Sequence, residues 1–145
     1  MPGKLNLHYD IPGGDYTRAG EASAQLKQVL RKLGLTPAVV RRVAIAMYEG
    51  EINMVIHADG GAIDVEIDSV CVTLALSDTG PGIEDIDLAM KEGYSTATEE
   101  VRSMGFGAGM GLSNMRKHTD YMKIDSTPGM GTNVYMKIAI GEELM

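Results

Sequence analysis

The sequence predicts an α+β fold, a two-layer α/β sandwich in which helices cover one face of a mostly antiparallel sheet. Segments of alternating apolar and polar residues follow one another in pairs, which is typical of hairpins and not of βαβ crossovers. Helical segments with apolar stripes supply the second layer. With 145 residues and a lone cysteine, Cys71, the chain is long enough to bury one core without a disulfide. We therefore expect a single domain over residues 1–145.

A strand and a helix open the domain. Residues 4–11 alternate between apolar and polar side chains, and the turn-forming residues 12–14 end the strand. Apolar side chains between residues 15 and 33 recur at helical spacing, which predicts a surface helix with one buried stripe. Gly34 lies where a glycine commonly caps the C-terminus of a helix.

A second helix follows at once and differs in kind. Thr36 is a typical N-cap residue and Pro37 occupies the first helical position, so the helix is predicted to begin there and to run to about Ala58. Between residues 43 and 56, apolar side chains occupy nearly every face. This pattern predicts a helix that is buried on several sides.

The remaining elements are hairpin strands and one more complete helix. Residues 61–68 and 70–77 alternate cleanly and are joined by a tight link, which predicts an antiparallel hairpin. A short helical stretch at 84–91 precedes a polar segment without a clear period, interpreted as either a functional lid or a disordered stretch. The rest of the chain is predicted to form a helix and two strands, at 109–118, about 121–126 and about 132–140.

Composition disfavours several classes of partner. Lys and Arg number 13 against 20 Asp and Glu, a net charge of −7, and there is no Trp and one Phe. A chain with so few basic and aromatic side chains is poorly suited to nucleic acid or to anionic membranes. No segment has the apolar run of a signal peptide or of a membrane-spanning helix, so a cytoplasmic location is expected.

Two polar residues interrupt the buried helix. Glu49 and Asn53 are four residues apart and therefore share one face. A carboxylate in an apolar helix is costly unless it is paired, hydrated or bound by a ligand, so a partner is expected opposite them. The alternative is an ordinary surface pair, because Glu51 is close by and one of the acids could face solvent. Gly50, in the helix interior, indicates close packing or the approach of a ligand.

Two glycine-rich loops are further candidates for a site. Asp78 ends a strand and is followed by Gly80 and Gly82, so its carboxylate could accept a hydrogen bond from a ligand amine, or it could simply initiate a turn. The loop at 105–111 leads into a helix, and its backbone N–H groups suit a polyphosphate, although a flexible hinge is the alternative. Neither a P-loop lysine nor a βαβ unit accompanies these glycines.

Taken together, these motifs resemble a known family. Their order and separations are similar to the N, G1 and G2 boxes of the GHKL ATPase superfamily, carried here by Glu49-x-x-x-Asn53, Asp78-x-Gly80-x-Gly82 and the loop at 105–111. A fourth segment, Gly129-Met-Gly131-Thr132, resembles the Gly-x-Gly-Thr of that superfamily. The resemblance covers essentially the whole chain and implies the Bergerat-type ATP-binding fold with an ATP lid at about 84–108.

The resemblance also implies a role for each matched residue. Glu49 would be the general base, and Asn53 would coordinate a Mg²⁺ ion that bridges the phosphates of ATP. Asp78 would bind the adenine amine, and Thr132 would complete the adenine pocket. The other nucleotide-binding positions implied by the resemblance are Gly80, Gly82, Ile83, Gly105, Gly107, Gly109, Met110, Gly111 and Leu112.

Within the superfamily, a free-standing domain of this length resembles the anti-sigma factor serine/threonine kinases of partner-switching systems. Residues 84–96 resemble the stressosome-type switch kinase in particular, and the choice between that and the sporulation type stays open. The implied partners are a STAS-domain anti-sigma factor antagonist, which would be phosphorylated, and a sigma factor. A homodimer agrees with the resemblance, although no exposed heptad or long apolar strand requires one.

Two other functions stay open at this point. One is a nucleotide-gated switch that sequesters a sigma factor or regulator with negligible phosphoryl transfer, against which the intact Glu49 argues, because a pure binding switch needs no base. The other is a detached histidine-kinase catalytic domain that acts on a separate acceptor. The side chain that would contact the γ-phosphate also stays open, with Lys91 and Arg102 as candidates because they flank the lid.

Overall fold

The computed structural model describes residues 4–14, 18–57, 60–80, 111–127 and 129–140. Within these ranges the elements are, in chain order, β1 (Leu5–Pro12), α1 (Glu21–Lys32), α2 (Pro37–His57), β2 (Gly60–Ile67), β3 (Cys71–Asp78), α3 (Gly111–Lys117), β4 (Tyr121–Thr127) and β5 (Gly131–Ala139). The predicted helical stretch at 84–91 and the lid at 84–108 lie outside the described residues.

The strands form one antiparallel sheet in the order β1-β2-β3-β5-β4. The helices pack on one face of it and share a single apolar core with the inward side chains of the strands. The predicted two-layer α/β sandwich is therefore confirmed. None of the helices in the described part of the chain is long and apolar enough to cross a membrane.

The helix ends follow the predicted caps, with one exception. The Oγ1 of Thr36 accepts a hydrogen bond from the N–H of Val39 at 3.3 Å, as an N-cap residue does. Gly34 has φ +83° and donates its N–H to the carbonyl of Arg31, which closes α1 as predicted. The predicted start of α1 at residue 15 was wrong, because Gly20 has φ +92° and no α-helix continues through that conformation.

Burial of α2 on several sides is confirmed. It packs against α1, against α3 and against the sheet, and Val43, Ala46 and Met47 are completely buried. On β2 the predicted inward side chains of Ile63 and Ile67 are also completely buried. The central helix α2 therefore contacts both other helices and the sheet.

At one end of the sheet, the side chains that face the helices change from apolar to polar between two neighbouring rows. The first row crosses all five strands and is apolar, namely Tyr9, Ile63, Leu76, Val134 and Ile124. In the next row Asp78 lies opposite Thr132, and Thr132 lies opposite Ser126. Because side chains two residues apart on a strand share a face, this polar row also points toward the helices.

Candidate functional site

The polar face of α2 meets the first turns of α3. Glu49 is half-buried, and its Oε1 accepts a hydrogen bond from the Nδ2 of Asn114 at 3.3 Å. Asn53 lies one turn further along the same face and is also half-buried. Among the described residues, none forms a hydrogen bond with the Asn53 carboxamide. Its oxygen is therefore a candidate ligand atom that none of these residues occupies.

Gly50 brings α2 close to the sheet. A Cβ at this position would collide with Cδ2 of Leu76 and would lie 3.6 Å from the Sδ of Met115. Of the two explanations for this glycine, the structure shows close packing among α2, β3 and α3. The contact places Glu49 beside the junction of these three elements.

Asp78 is held at the end of β3 by two backbone donors. Its Oδ1 accepts hydrogen bonds from the N–H of Gly80 at 2.9 Å and from the N–H of Thr132 at 3.3 Å. The first is the Asp-initiated turn that the sequence offered as an alternative. Within the described ranges Oδ2 accepts no hydrogen bond. The turn therefore fixes the carboxylate, and no described residue occupies its second oxygen.

Thr132 lies next to Asp78 on the neighbouring strand and is 8% exposed. Its Oγ1 is 2.9 Å from the Oγ of Ser126, which also donates to the carbonyl of Gly131 at 3.2 Å. Gly131 has φ +128°, and a Cβ there would collide with the carbonyl of Asp78. A glycine is therefore required for the close approach of β5 to the end of β3. Sequence reasoning missed Ser126.

Glu51 has a different role from Glu49. It is 2% exposed, and its carboxylate accepts hydrogen bonds from the N–H groups of Gly20, Ala22 and Ser23 at 3.0, 3.1 and 3.0 Å. These are donors at the start of α1, which has no side-chain cap of its own. Glu51 therefore caps a neighbouring helix and points away from the Glu49 face. The sequence signal for this contact was Gly20, a residue without a side chain at the N-cap position of α1.

Tyr48 completes the contact with α1. A Cβ on Gly20 would lie 2.9 Å from the ring of Tyr48, so the ring covers the N-terminal turn. Burial raises the pKa of the Tyr48 hydroxyl, and the nearby carboxylates of Glu49 and Glu51 raise it further. The hydroxyl is therefore neutral at physiological pH.

The other predicted positions lie at the start of α3 or outside the described residues. Leu112 is 8% exposed and belongs to the core, and Gly111 is the first residue of α3. The positions outside the described residues are Gly82, Ile83, Gly105, Gly107, Gly109, Met110, Lys91 and Arg102. The structure thus brings together Glu49 and Asn53 on α2, and Asp78, Gly80 and Thr132 at the sheet end.

The histidines lie away from this region or form ordinary contacts. His8 is on the open face of the sheet, with Nδ1 2.6 Å from Oδ1 of Asp64 and Nε2 2.9 Å from Oδ1 of Asp10. Hydrogen bonds to Asp64 and then Asp10 raise the pKa of His8. The Nδ1 of His118 is 2.8 Å from the carbonyl of Asn114. In the described part of the chain no group of His, Cys, Asp and Glu side chains could hold a metal.

Comparisons with known proteins agree with this geometry. Residues 25–142 match the family described as histidine kinase-, DNA gyrase B-, and HSP90-like ATPase. The anti-sigma F factor of Thermoanaerobacter sp. (strain X514) is 35% identical over 106 residues, 70% of this chain and 71% of that protein. That of Clostridium botulinum (strain Eklund 17B / Type B) is 33% identical over 141 residues, 92% of each chain.

A solved structure has the same fold. The crystal structure of the RsbU and RsbW domains of a Mycobacterium tuberculosis protein superposes with a TM-score of 0.59 at 15% identity. The likeness covers 92% of this chain and 32% of that one. The two-layer arrangement of helices on an antiparallel sheet is therefore shared with a larger crystallised chain.

Proposed function

Because the chain belongs to the GHKL family of histidine kinase-, DNA gyrase B- and HSP90-like ATPases, we propose that it is an anti-sigma regulator with serine/threonine kinase activity. In this proposal it binds Mg-ATP and phosphorylates a STAS-domain anti-sigma factor antagonist. The relatives named anti-sigma F factor, one of them similar over 92% of both chains, support the regulatory role. The observation that carries the kinase proposal is the shared face of Glu49 and Asn53 on α2, in a fold that also fixes the carboxylate of Asp78 at the end of β3.

The polar row at the sheet end suits the base of the nucleotide. Asp78 offers an oxygen that no described residue occupies, and a carboxylate oxygen accepts hydrogen bonds from an exocyclic amine. Thr132 lies beside it with a hydroxyl, and Gly80 leaves the turn without a side chain. These three residues would hold adenine.

Asn53 fits the magnesium ion that the proposal requires. Mg²⁺ prefers hard oxygen ligands and commonly takes one or two from protein, with water and substrate phosphates supplying the others. The amide oxygen of Asn53, which no described residue engages, is such a ligand. When bound, the ion would neutralise the charge that develops on the phosphates.

Glu49 would act on the acceptor hydroxyl. Its Oε1 is held by Asn114, and the half-buried carboxylate faces the same side as Asn53. The carboxylate would take the proton of the serine or threonine hydroxyl while that oxygen forms its bond to the γ-phosphorus. The bond from the γ-phosphorus to the β,γ-bridging oxygen breaks, and ADP carries that oxygen away. Positioning and charge stabilisation, more than covalent chemistry by the protein, would supply the catalysis.

Calorimetry with ATP and ADP, with and without Mg²⁺, tests the site first. Asp78→Asn is expected to lose nucleotide affinity, and Asn53→Ala is expected to lose the Mg²⁺ dependence. Thr127→Ala, an exposed strand residue, is the matched control and is expected to bind as the wild type does. If wild-type protein binds neither nucleotide, the proposal fails.

Phosphoryl transfer from labelled ATP to candidate STAS-domain proteins of the same genome tests the kinase activity. The proposal expects acid-stable phosphate on serine or threonine with the wild type and a transfer rate at least about a hundredfold lower with Glu49→Gln. Acid-labile, base-stable phosphate would instead identify a histidine-kinase-type catalytic domain. No transfer by wild-type protein that binds ATP would favour the nucleotide-gated binding switch. The Asn114 bond to Glu49 supports that second candidate, because it joins the nucleotide face of α2 to α3.

We also propose that the chain forms a homodimer in the cytoplasm, where a sigma factor and its antagonist act. On the open face of the sheet, Asp10, Asp64 and Glu66 lie on β1 and β2, whereas Lys123, Lys137 and Asp125, which pairs with Lys123 at 3.7 Å, lie on β4 and β5. A second copy related by a twofold axis parallel to the strands would set the more acidic half of each face against the more basic half of the other. Light scattering tests this: Lys123→Glu is expected to give monomers, and Lys123→Glu with Asp64→Lys is expected to restore the dimer.

A further inference from the structure

The side chain of Asn114 on α3 makes a hydrogen bond whose direction is fixed by its chemistry. Its Nδ2 lies 3.3 Å from the Oε1 of Glu49. An ionised carboxylate can only accept hydrogen bonds, so the amide N–H of Asn114 is the donor. Among the residues that the structure describes, neither side chain forms another hydrogen bond. Oε1 of Glu49 is therefore engaged by Asn114, whereas no described residue occupies Oε2.

The packing of α3 determines where this donor lies. The residues on either side of Asn114, Ser113 and Met115, are 8% and 1% exposed. Met115 lies at the junction with α2, where its Sδ would be 3.6 Å from a Cβ on Gly50. The backbone of Asn114 is thus anchored between buried neighbours. A glutamate side chain otherwise samples many rotamers, and a hydrogen bond from a fixed donor restricts them.

From this arrangement we propose that Asn114 is a positioning residue that holds the Glu49 carboxylate in the orientation needed to take the proton of the acceptor hydroxyl. The inference rests on the proposed kinase function. Oε1 stays bound to Asn114, and Oε2 takes the proton while the hydroxyl oxygen forms its bond to the γ-phosphorus. The bond from that phosphorus to the bridging oxygen breaks, and ADP leaves with the oxygen. Asn114 transfers no proton and acts only through Glu49.

The test is the single-turnover rate of phosphoryl transfer from saturating ATP to the STAS-domain protein of the same genome that the wild type phosphorylates. Asn114→Leu, which is similar in size and cannot donate a hydrogen bond, is expected to lower this rate about tenfold. Its ATP affinity by calorimetry is expected to stay at the wild-type value, because Asn114 acts on the base and not on the nucleotide. Arg116→Leu, at an exposed position of the same helix, is the matched control and is expected to change neither quantity.

A double variant, Glu49→Gln with Asn114→Leu, separates positioning from packing. If Asn114 acts through Glu49, its loss has no further effect once the base is gone. The double variant should then transfer phosphate at the rate of Glu49→Gln alone. A role of Asn114 only in packing α3 against α2 would lower the rate by the same factor in both backgrounds, and that outcome overturns the inference. A loss of ATP affinity in Asn114→Leu that matches its loss of rate would also overturn it.

Failure of this inference and failure of the proposed function give different results. If Asn114→Leu transfers phosphate as fast as the wild type, the kinase activity stands and Asn114 has no positioning role. If the wild type transfers none to any STAS-domain protein of the genome, the proposed kinase function is refuted, and the inference with it. If Asn114→Leu does not fold, Asn114→Ala provides the same comparison in both backgrounds, because it also removes the donor.

Discussion

Two glutamate side chains on different faces of α2 lie in different environments. On one face of α2, Glu51 is 2% exposed and accepts hydrogen bonds from three backbone N–H groups of the α1 N-terminus. On the other, Glu49 is half-buried and accepts one hydrogen bond from Asn114. The difference shows that the neighbouring donors, and not the residue type, decide whether a carboxylate in this helix caps another helix.

The physical reason lies at the start of α1. Gly20 precedes this helix and supplies no side chain, so the first N–H groups need an acceptor from elsewhere. Glu51 supplies it, and the positive end of the helix dipole compensates the buried charge. Among the described residues, Glu49 accepts a hydrogen bond only from the side-chain amide of Asn114, at the junction with α3. Two carboxylates that lie two residues apart in the same helix thus have different partners.

The largest expected effect is on phosphoryl transfer. If Glu49 is the base, Glu49→Gln should lower the single-turnover transfer rate by about 10²–10⁴-fold, the usual contribution of general base catalysis. Nucleotide affinity and thermal stability should remain at wild-type values. If this variant loses thermal stability as well as transfer, Glu49 stabilises the fold as Glu51 does, and the difference between the two residues disappears.

Next in size is the stability effect of the buried carboxylate. Glu51→Ala should lower the free energy of unfolding by about 3 kcal/mol, because it leaves buried donors at the α1 N-terminus without an acceptor. Urea denaturation measures this. The matched control is Glu49→Ala, for which a change within about 0.5 kcal/mol is expected. Equal losses in the two variants would mean that both faces serve stability.

Gly50 lies between the two carboxylates and tests the packing of α2 on the sheet. Gly50→Ala should cost about 1–3 kcal/mol through the collision with Leu76, offset by about 1 kcal/mol of helix propensity. The net loss expected by urea denaturation is therefore about 1 kcal/mol. An increase in stability would show that Leu76 and Met115 rearrange freely and that the junction tolerates a side chain.

The smallest effect concerns an exposed carboxylate that contacts α2 near its start. Asp120 accepts a hydrogen bond from the N–H of Ala139 at 2.7 Å and pairs with Arg42 at 3.1 Å, and its side chain is 49% exposed. The backbone bond, and then Arg42, hold the pKa of Asp120 below its ordinary value of 3.8. A lowered native pKa means that the ionised form adds stability above the unfolded pKa, and that this is lost as the pH falls through the native pKa.

Asp120→Asn should therefore lower the unfolding free energy at pH 7 by less than about 1 kcal/mol, since solvent screens a half-exposed pair. The difference from wild type should shrink below about pH 4 and vanish below the lowered native pKa. Urea denaturation at pH 7 and at successively lower pH values, for as long as the protein stays folded, checks both points. A difference that does not shrink as the pH falls would mean that shape, and not charge, matters at this position.

Much of the fold could be predicted from local pattern. The alternation of β2 and β3 predicted the hairpin, Thr36 and Gly34 predicted helix ends, and the apolar faces of α2 predicted a central helix. The start of α1 was wrong because a conformational break at Gly20 leaves no apolar signal in the sequence. Such a break is set by backbone geometry, which hydrophobic spacing does not report.

The sequence by itself determined which side chains share a face and which glycine motifs accompany them, because periodicity and spacing are local properties. It thereby placed Glu49 with Asn53 and marked Asp78. Only the tertiary structure decided that Glu51 caps α1 and that the Ser126 hydroxyl lies beside the Thr132 hydroxyl. The partners of Glu51 lie about thirty residues away in the chain, and those of Asp78 include one 54 residues away. Hydrogen bonds of that kind depend on how the elements pack, which no single segment encodes.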